Sequence, residues 1–222
     1  LDFRECLMPV VADVMAAHPA LTVDLRLSNR VVDLVEEGVD LAVRAAHALD
    51  GRHVARPIAR TQLAVFGAPA YLRTHGRPAH PDDLAAHRFL VFTEPRPLLE
   101  LPMRRGAEER RVHFAPAMLC NDGDAIRIAL RRGLGLAVAP SFLVAADLAD
   151  GTVEPLLPGW TLPTFGVHAV YPHRRFVSPK VRVLLDALAA RFGDGTADPW
   201  WSGRVYSSGP LPPACRRDEP SP

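Results

Sequence analysis

The sequence predicts an α/β protein with mainly parallel sheets. Along the chain, segments with the three- and four-residue apolar spacing of amphipathic helices alternate with short apolar runs typical of strands, and this alternation favours βαβ units. The 222 residues, 48% of them hydrophobic, suit one mid-sized globular domain or two small lobes that share a core. The first element is a helix, whereas a right-handed βαβ unit starts with a strand. Either the order is unusual or an opening strand is missing.

The first two elements are a helix and a strand. Residues 3–18 place apolar side chains three and four residues apart, which predicts an amphipathic helix that Pro19 ends. In residues 21–27, Leu and Val alternate with polar residues, so a strand with one apolar face is expected there. This one-sided pattern suits a strand at the edge of a sheet or one beside a partner.

A second helix and a second strand follow directly. Ser28 or Asn29 is placed to cap a helix that runs through residue 37, where Gly38 ends it. Residues 39–44 then form a short apolar run typical of a strand. The predicted order of the first 44 residues is therefore helix, strand, helix, strand.

The rest of the chain to residue 192 continues the alternation. Strands are predicted at residues 62–67, 89–92, 98–103, 111–114, 136–139 and 165–171. Helices are predicted at residues 69–75, 121–132 and 181–192, with a short one that opens at Pro81. The strands at 98–103 and 111–114 flank a polar turn around Gly106, which indicates a hairpin.

The end of the chain differs in composition from the rest. Residues 193–222 hold four Gly, six Pro and four Ser, and these residue types interrupt regular structure. We therefore expect a flexible tail. Trp200, Trp201 and Tyr206 are the exception, since their rings are able to dock onto a surface.

Charge and cysteine content exclude several classes of protein. The 26 Lys and Arg residues almost balance the 25 Asp and Glu residues, and the formal net charge of +1 argues against a strongly basic protein that coats DNA. Three widely spaced cysteines form no C-x-x-C pair, so neither a disulfide framework nor a zinc knuckle is indicated. No apolar run approaches the roughly 18 residues of a membrane span. We expect a cytoplasmic protein that binds no metal and no membrane.

The common catalytic and cofactor motifs are incomplete. Gly133 and Gly135 lack the third glycine of a dinucleotide-binding loop, and they follow a helix instead of a strand. Ser141 lies outside any G-x-S-x-G sequence, so helix capping explains it better than nucleophilic catalysis. The nine histidines include no H-E-x-x-H pair. We therefore expect neither an enzyme nor a cofactor.

Two strand-to-helix junctions remain as candidate ligand sites. Residues 27–30 and 119–122 bring hydroxyl or amide groups to points where a strand is expected to end and a helix to begin. In open α/β folds, small molecules bind at this edge, where helix N-termini offer free N–H groups. Ordinary helix capping is the simpler interpretation, and both interpretations stay open at this point.

Five segments of the chain, in order, resemble the effector-binding domain of LysR-type transcriptional regulators. They are residues 19–25 (PALTVDL), 31–44 (VVDLVEEGVDLAVR), 67–87 (beginning GAPAYLRTHGRP), 121–140 (beginning ND and ending GLGLAVAP) and 171–182 (YPHRRFVSPKVR). The last segment is similar to the terminal Y-P-x-R-R-x-x-S-P-K-V-R pattern of that family. The resemblance covers roughly residues 3–192, and the joint occurrence of these segments is specific where each alone is weak.

The resemblance implies a type 2 periplasmic-binding-protein fold. In that fold, two α/β lobes joined by two crossover strands enclose an effector cleft. Lobe I would comprise residues 1–66 and 170–192, and lobe II residues 67–169. Residues 193–222, the flexible tail, depart from the usual end of the family.

The implied cleft would lie beside crossovers near residues 65–69 and 165–171. It would bind a small-molecule effector, and its closure would change the geometry of an oligomer on DNA. By similarity, the residues that line it are Ser28, Asn29, Arg44, Phe92, Thr93, Asn121, Asp122, Pro140 and Ser141.

The resemblance also implies partners. It suggests a homodimer or homotetramer in which helix 3–18 and strand 21–27 of one subunit lie against lobe II of its mate. DNA would be contacted only through the N-terminal winged helix-turn-helix of the family, which we do not find in this sequence. The opening strand of the effector domain is expected to be missing as well, which agrees with the topology. The chain is therefore interpreted as a truncated LysR-type regulator.

Two other functions stay open. A stand-alone solute-binding protein of the same fold would need a secretion signal and an intact first strand, and we expect neither in this chain. An enzyme with an unrecognised site would need a convergent set of perturbed acids or nucleophiles in a cleft. The effector itself is not identified by the sequence, because the remaining polar groups are generic.

Overall fold

The computed structural model describes residues 3–28, 32–46, 53–94, 97–172 and 177–201. Within these residues the chain forms, in order, α1 (Arg4–Ala17), β1 (Ala42–Ala46), β2 (Val54–Gly67), α2 (Pro69–His75), β3 (Phe89–Phe92), β4 (Glu100–Arg105), β5 (Glu108–His113), β6 (Pro116–Cys120), α3 (Gly123–Arg131), β7 (Leu136–Pro140), α4 (Ser141–Ala149), β8 (Glu154–Pro155), β9 (Thr164–Tyr171) and α5 (Pro179–Phe192). A short 3₁₀ helix (Pro81–Ala86) lies between α2 and β3. Helices and strands thus alternate as predicted.

The strands form one mixed sheet and a separate hairpin. The sheet has the order β1-β9-β2-β7-β3-β6, with β8 paired to β2, and the hairpin is β4-β5. β3 is parallel to β6 and β7, whereas the ladders around β2 and β9 are antiparallel. The expectation of mainly parallel sheets is therefore wrong for the half of the sheet that contains β1, β9 and the first part of β2. The reason is that β2 carries the chain out of the first half and β9 brings it back, so the two long strands run in opposite directions.

β2 joins the two halves of the sheet. From Val54 to Gln62 its residues pair with β9, and from Leu63 onward they pair with β7 and β8. The change of partner falls between Gln62 and Leu63. This point is therefore where β2 passes from one half of the sheet to the other, and the chain returns where β9 begins at Thr164.

Two buried apolar clusters hold the layers together. One includes Phe66 and packs the sheet against α1, α3, α4 and α5, so it extends through both halves. The other surrounds Phe89 and Leu136 and includes Leu101 of the hairpin. Burial of a side chain the size of Phe66 contributes about 2–3 kcal/mol. A shared core therefore supports the whole sheet.

Most of the predicted helices are confirmed, because their signals are local. α1 buries Cys6, Val10 and Val14 along one face and ends before Pro19. α3 begins where the Asp122 carboxylate accepts a hydrogen bond from the backbone N–H of Ala125 at 2.7 Å. α2 has the bounds that the sequence predicts. Capping residues and apolar spacing were sufficient to locate these three helices.

Two predictions in the first 44 residues are wrong. Residues 21–27 form no strand, because no ladder of the described strands includes them. In place of the predicted helix to residue 37, a single turn forms at residues 34–38. The Asp33 side chain accepts hydrogen bonds from the backbone N–H groups of Val35 and Glu36 and stabilises this turn locally.

Residues 194–201 of the predicted flexible tail pack against the domain. Trp200 and Trp201 are buried in the first apolar cluster. The reason is that large aromatic rings gain enough from burial to order this short segment. Docking of these rings was the minor interpretation of the sequence. Tyr206 lies outside the described residues.

The sequence pattern did not predict α4, because this helix lacks the one-sided apolar spacing of an amphipathic helix. α4 buries six of its nine residues, including the acidic Asp147, and a helix that is apolar on most sides has no one-sided pattern to detect. Among the described residues, no helix is both long and apolar enough to span a membrane.

Candidate functional site

A cavity of about 550 Å³ lies between α1, residues 21–28, β1 and α5. Its lining combines apolar side chains from α1, α5 and the first residues of β1 with charged side chains, which include Arg4, Asp24, Arg26, Glu37, Asp40, Arg44, Asp122 and Lys180. The apolar lining residues are Leu7, Val11, Val14, Leu21, Val23, Leu41, Val43, Val181, Leu184 and Leu188. A volume of this size matches the roughly 300–1,000 Å³ typical of small-molecule sites.

Three of the predicted site residues meet in this cavity: Ser28, Arg44 and Asp122. Arg44 lies in the middle of β1, and its guanidinium donates a hydrogen bond to the backbone carbonyl of Val32 at 2.5 Å. Asp122 is the N-cap of α3, so its carboxylate is already used by the helix. Ser28 ends the segment that faces β1. The structure thus joins the two junctions that the sequence singled out.

The charges around the cavity are mostly neutralised in pairs. Lys180 lies 2.7 Å from Asp40, and Arg26 lies 2.9 Å from Asp24. Arg44 has no carboxylate partner in the part of the chain that the structure describes. Arg44 is thus the cation of this lining without a carboxylate partner among the described residues, and the same lining includes the carboxylates of Glu37 and Asp122.

Four other predicted residues share one edge of the sheet. β3, β6 and β7 are parallel, so the positions at or just beyond their carboxyl ends, Phe92, Thr93, Asn121 and Pro140, lie at the same edge. The backbone N–H of Thr93 donates to the carbonyl of Cys120 at 3.0 Å, which ties two of these strand ends together. Asn121 immediately precedes Asp122 of the cavity. Asn29, which belongs to the predicted junction at residues 27–30, lies outside the described residues.

Ser141 is fully buried and is held apart from the cavity residues. Its hydroxyl lies 2.9 Å from the Thr61 hydroxyl and donates to the Asp198 carboxylate at 2.7 and 3.0 Å. The expectation that Ser141 caps a helix is wrong, because Pro140 holds the N-cap position of α4 and makes no side-chain cap. Ser141 instead binds a carboxylate from the end of the chain.

Asp198 lies at the centre of the polar group that includes Ser141 and Thr61, and the sequence did not predict its role. Its carboxylate also accepts hydrogen bonds from the backbone N–H groups of Gln62, Trp200 and Trp201. Burial raises the pKa of Asp198 to about 6, although these hydrogen bonds and that from Ser141 act in the opposite direction. The only signal in the sequence was the pair of tryptophans that follows Asp198.

A buried ionic group links α1, α3 and α4. Arg127 donates to the fully buried Asp147 at 2.5 and 3.2 Å and to Glu5 at 2.8 Å. Burial lowers the pKa of Arg127, but the hydrogen bonds to Asp147 and Glu5 outweigh it and raise that pKa above its usual value. A single acid within the apolar α4 sequence was the available sign of this pair. Arg4, which lines the cavity, also contacts Asp124 of α3.

Neither the polar group around Asp198 nor the ionic group around Arg127 has the composition of a metal site. In the described ranges, no three His, Cys, Asp or Glu side chains are grouped so that they could hold a metal ion. The cavity combines apolar side chains with the guanidinium of Arg44 and other charged groups, an arrangement suited to binding.

Residues 4–193 match the family described as LysR substrate binding domain. The chain belongs to this LysR substrate-binding-domain family. The match includes all the segments on which the resemblance rested, and α1 to α5 fall within it. The LysR resemblance is thereby confirmed.

Solved LysR-type domains share the fold. The regulatory domain of CrgA from Neisseria meningitidis matches with a TM-score of 0.77 at 31% identity, over 85% of this chain and 93% of that one. Full-length AphB from Vibrio cholerae, at 24% identity, matches with a TM-score of 0.73 over 84% of this chain and 63% of that one, and shows the fold alone. The predicted α/β, periplasmic-binding-protein-like fold class is confirmed.

Curated relatives of this LysR domain are transcriptional regulators by name. An HTH-type transcriptional regulator from Xanthomonas campestris is 32% identical over 187 residues, which cover 82% of this chain and 54% of that protein. PtxR from Pseudomonas aeruginosa is 32% identical over 185 residues, which cover 83% of this chain and 59% of that protein. The chain spans 54–63% of the length of the curated relatives it matches.

Proposed function

We propose that this chain is the effector-sensing and oligomerisation domain of a LysR-type transcriptional regulator. The observation that carries the proposal is the cavity in which Ser28, Arg44 and Asp122 meet within a domain of this family. Residues 1–66 and 170–192 form one lobe in this proposal and residues 67–169 the other. Asp122 belongs to the second lobe, so a ligand in the cavity contacts both and is able to bias their relative position.

The ligand class that this cavity suits is a small organic acid. Arg44 supplies a cation without a carboxylate partner among the described residues, and a guanidinium binds a carboxylate through two parallel hydrogen bonds. The apolar side chains from α1 and α5 would cover an apolar ligand body. A neutral polar ligand would leave the charge of Arg44 without compensation.

The experiment is calorimetric titration with a panel of aliphatic and aromatic carboxylic acids and their matching amides. We expect at least one acid to bind and its amide to bind at least about tenfold more weakly, because a charge-assisted hydrogen bond is lost. Arg44→Gln should weaken binding of the same acid by a similar factor. Arg26→Gln is the matched control, since Arg26 lines the same cavity but is paired with Asp24. Equal binding of acid and amide, or equal effects of the two variants, contradicts the proposal.

The proposed oligomer is a dimer in which α1 of one subunit lies against the second lobe of its mate. Met8 and Met15 of α1 are exposed, as are Leu119 of the edge strand β6 and Ile128 of α3. Exposed apolar side chains on two separate elements favour an interface between them. The outer edge of β6 also has no partner strand among the described residues.

Ile128→Glu tests this dimer. We expect it to convert the dimer to a monomer in sedimentation velocity, because a carboxylate would be buried without a partner. Val35→Glu is the matched control, since Val35 is equally apolar and exposed but lies outside both surfaces. A wild-type chain that sediments as a monomer, or a dimer that survives Ile128→Glu, contradicts the proposal.

DNA contact in the proposed regulator belongs to a helix-turn-helix outside these 222 residues. The relatives that match are named HTH-type regulators and are longer than this chain, and the near-zero net charge of this chain suits the sensing part of such a protein. A cytoplasmic location follows from this role. Binding of the effector is then proposed to change transcription by altering the oligomer.

A further inference from the structure

The end of the described chain, residues 194–201, runs alongside β2 as a strap. Gly195 lies against Pro57, where an added Cβ would come within 2.4 Å of the proline ring. The backbone carbonyl of Ala197 accepts a hydrogen bond from the N–H of Arg60 at 2.7 Å. We call residues 194–201 the C-terminal strap.

The C-terminal strap continues past the point where β2 changes partner. Asp198 accepts from the N–H of Gln62 at 2.8 Å, the last residue of β2 that pairs with β9. The same carboxylate accepts from the hydroxyl of Ser141, which directly follows β7. Farther along, the ring of Trp201 lies 5.9 Å from that of Phe66, in the part of β2 that pairs with β7 and β8. The strap is therefore bonded on both sides of the connection between the halves.

Trp200 anchors the strap in a box of aromatic rings. Only 2% of its surface is exposed. Its ring lies 5.2 Å from Phe3, 5.8 Å from Phe142 and 5.5 Å from Phe192, centroid to centroid. These three rings come from the start of α1, from α4 and from the end of α5, so one side chain touches both proposed lobes. Such contacts are lost together if the helices move apart.

We propose that the C-terminal strap is an internal clamp that fixes the angle between the two halves of the sheet. The chain crosses between the halves at Gln62–Leu63 of β2 and again just before β9, and the strap bridges this crossing through Asp198 and Trp200. Movement of the lobes then requires that these two side chains first leave their sites. This inference rests on the proposed two-lobe function, but not on the presence of a ligand.

The test measures the distance between the lobes without any ligand. Fluorophores are placed through an unnatural amino acid at the exposed positions Arg73 of α2 and Arg182 of α5, and single-molecule energy transfer gives the distribution of distances. Asp198→Ala removes the bridge at the hinge. Asp194→Ala is the matched control, because among the described residues the Asp194 carboxylate accepts from Thr196, which belongs to the strap itself.

We expect Asp198→Ala, and a chain ended after residue 193, to broaden the distance distribution. Amide hydrogen exchange at Arg60 and Gln62 should accelerate at least about tenfold, while exchange in the β4–β5 hairpin stays unchanged and shows that the domain is folded. Unchanged distances, or equal broadening in Asp194→Ala, overturn the clamp. If Asp198→Ala does not fold, Trp200→Phe, which keeps an aromatic ring, is judged by the same criterion. Because no ligand is added, failure of the clamp is distinguishable from failure of effector binding.

Discussion

Asp147→Asn is expected to lower the free energy of unfolding by about 3–5 kcal/mol. Asp147 is fully buried in α4 and accepts two hydrogen bonds from Arg127, and its carboxylate also lies 3.3 Å from Nε of Arg131. Asparagine keeps the size of the side chain but removes its charge. The buried guanidinium of Arg127 would then keep only Glu5 as a counter-charge, and Glu5 is largely exposed.

Urea denaturation followed by circular dichroism measures this loss. Asp186→Asn is the matched control, because Asp186 pairs with Arg56 at 3.4 Å where both side chains are exposed. Exposed pairs of this kind contribute about 0–1 kcal/mol. If Asp147→Asn and Asp186→Asn lower the free energy of unfolding by similar amounts, the prediction is contradicted. Arg127→Met combined with Asp147→Leu should recover much of the stability, since no charge is then left unpaired.

The second large effect concerns pH: Asp198 is expected to make the free energy of unfolding depend on it. Burial raises the pKa of this carboxyl from 3.8 to about 6, so the folded state favours its neutral form. The resulting stabilisation is fully present below about pH 4 and is lost as the pH rises through about 6. A difference of about two pKa units corresponds to about 3 kcal/mol between these limits.

Asp198→Asn isolates this contribution. We expect the difference in unfolding free energy between wild type and variant to change by about 3 kcal/mol from about pH 4 to about pH 8, with the wild type relatively less stable at the higher pH. Asp194→Asn is the control, since hydrogen bonds from Thr196 lower the pKa of Asp194, opposite to the direction in Asp198. A constant difference between wild type and Asp198→Asn would contradict the prediction.

Elements with local signals were predictable, and elements that need a neighbour were not. α1, α2 and α3 follow from apolar spacing, a proline and a capping aspartate, all within a few residues of one another. Residues 21–27 have an equally clear strand pattern but remain without a ladder, because hydrogen bonding in a sheet depends on a second strand that no local pattern supplies.

The residues of the candidate site were likewise predictable only in part. Ser28, Arg44 and Asp122 were expected together, and the structure does place them around one cavity. Ser141 was expected in the same cleft, but the Asp198 carboxylate and the Thr61 hydroxyl occupy its hydrogen bonds. Asp198 lies 57 residues from Ser141 in the chain, and no spacing rule relates two residues that far apart.

Family membership and the order of helices and strands follow from residues close together in the chain, because caps, breakers and apolar periods act over one or two turns. The direction of β2 against β9, the cavity beside β1 and the burial of Trp200 depend on which surfaces meet after folding. Those choices are made by contacts between distant segments. A tail rich in Pro, Gly and Ser therefore resembles a flexible end in the sequence and becomes a clamp only when Phe3, Phe142 and Phe192 are brought together around it.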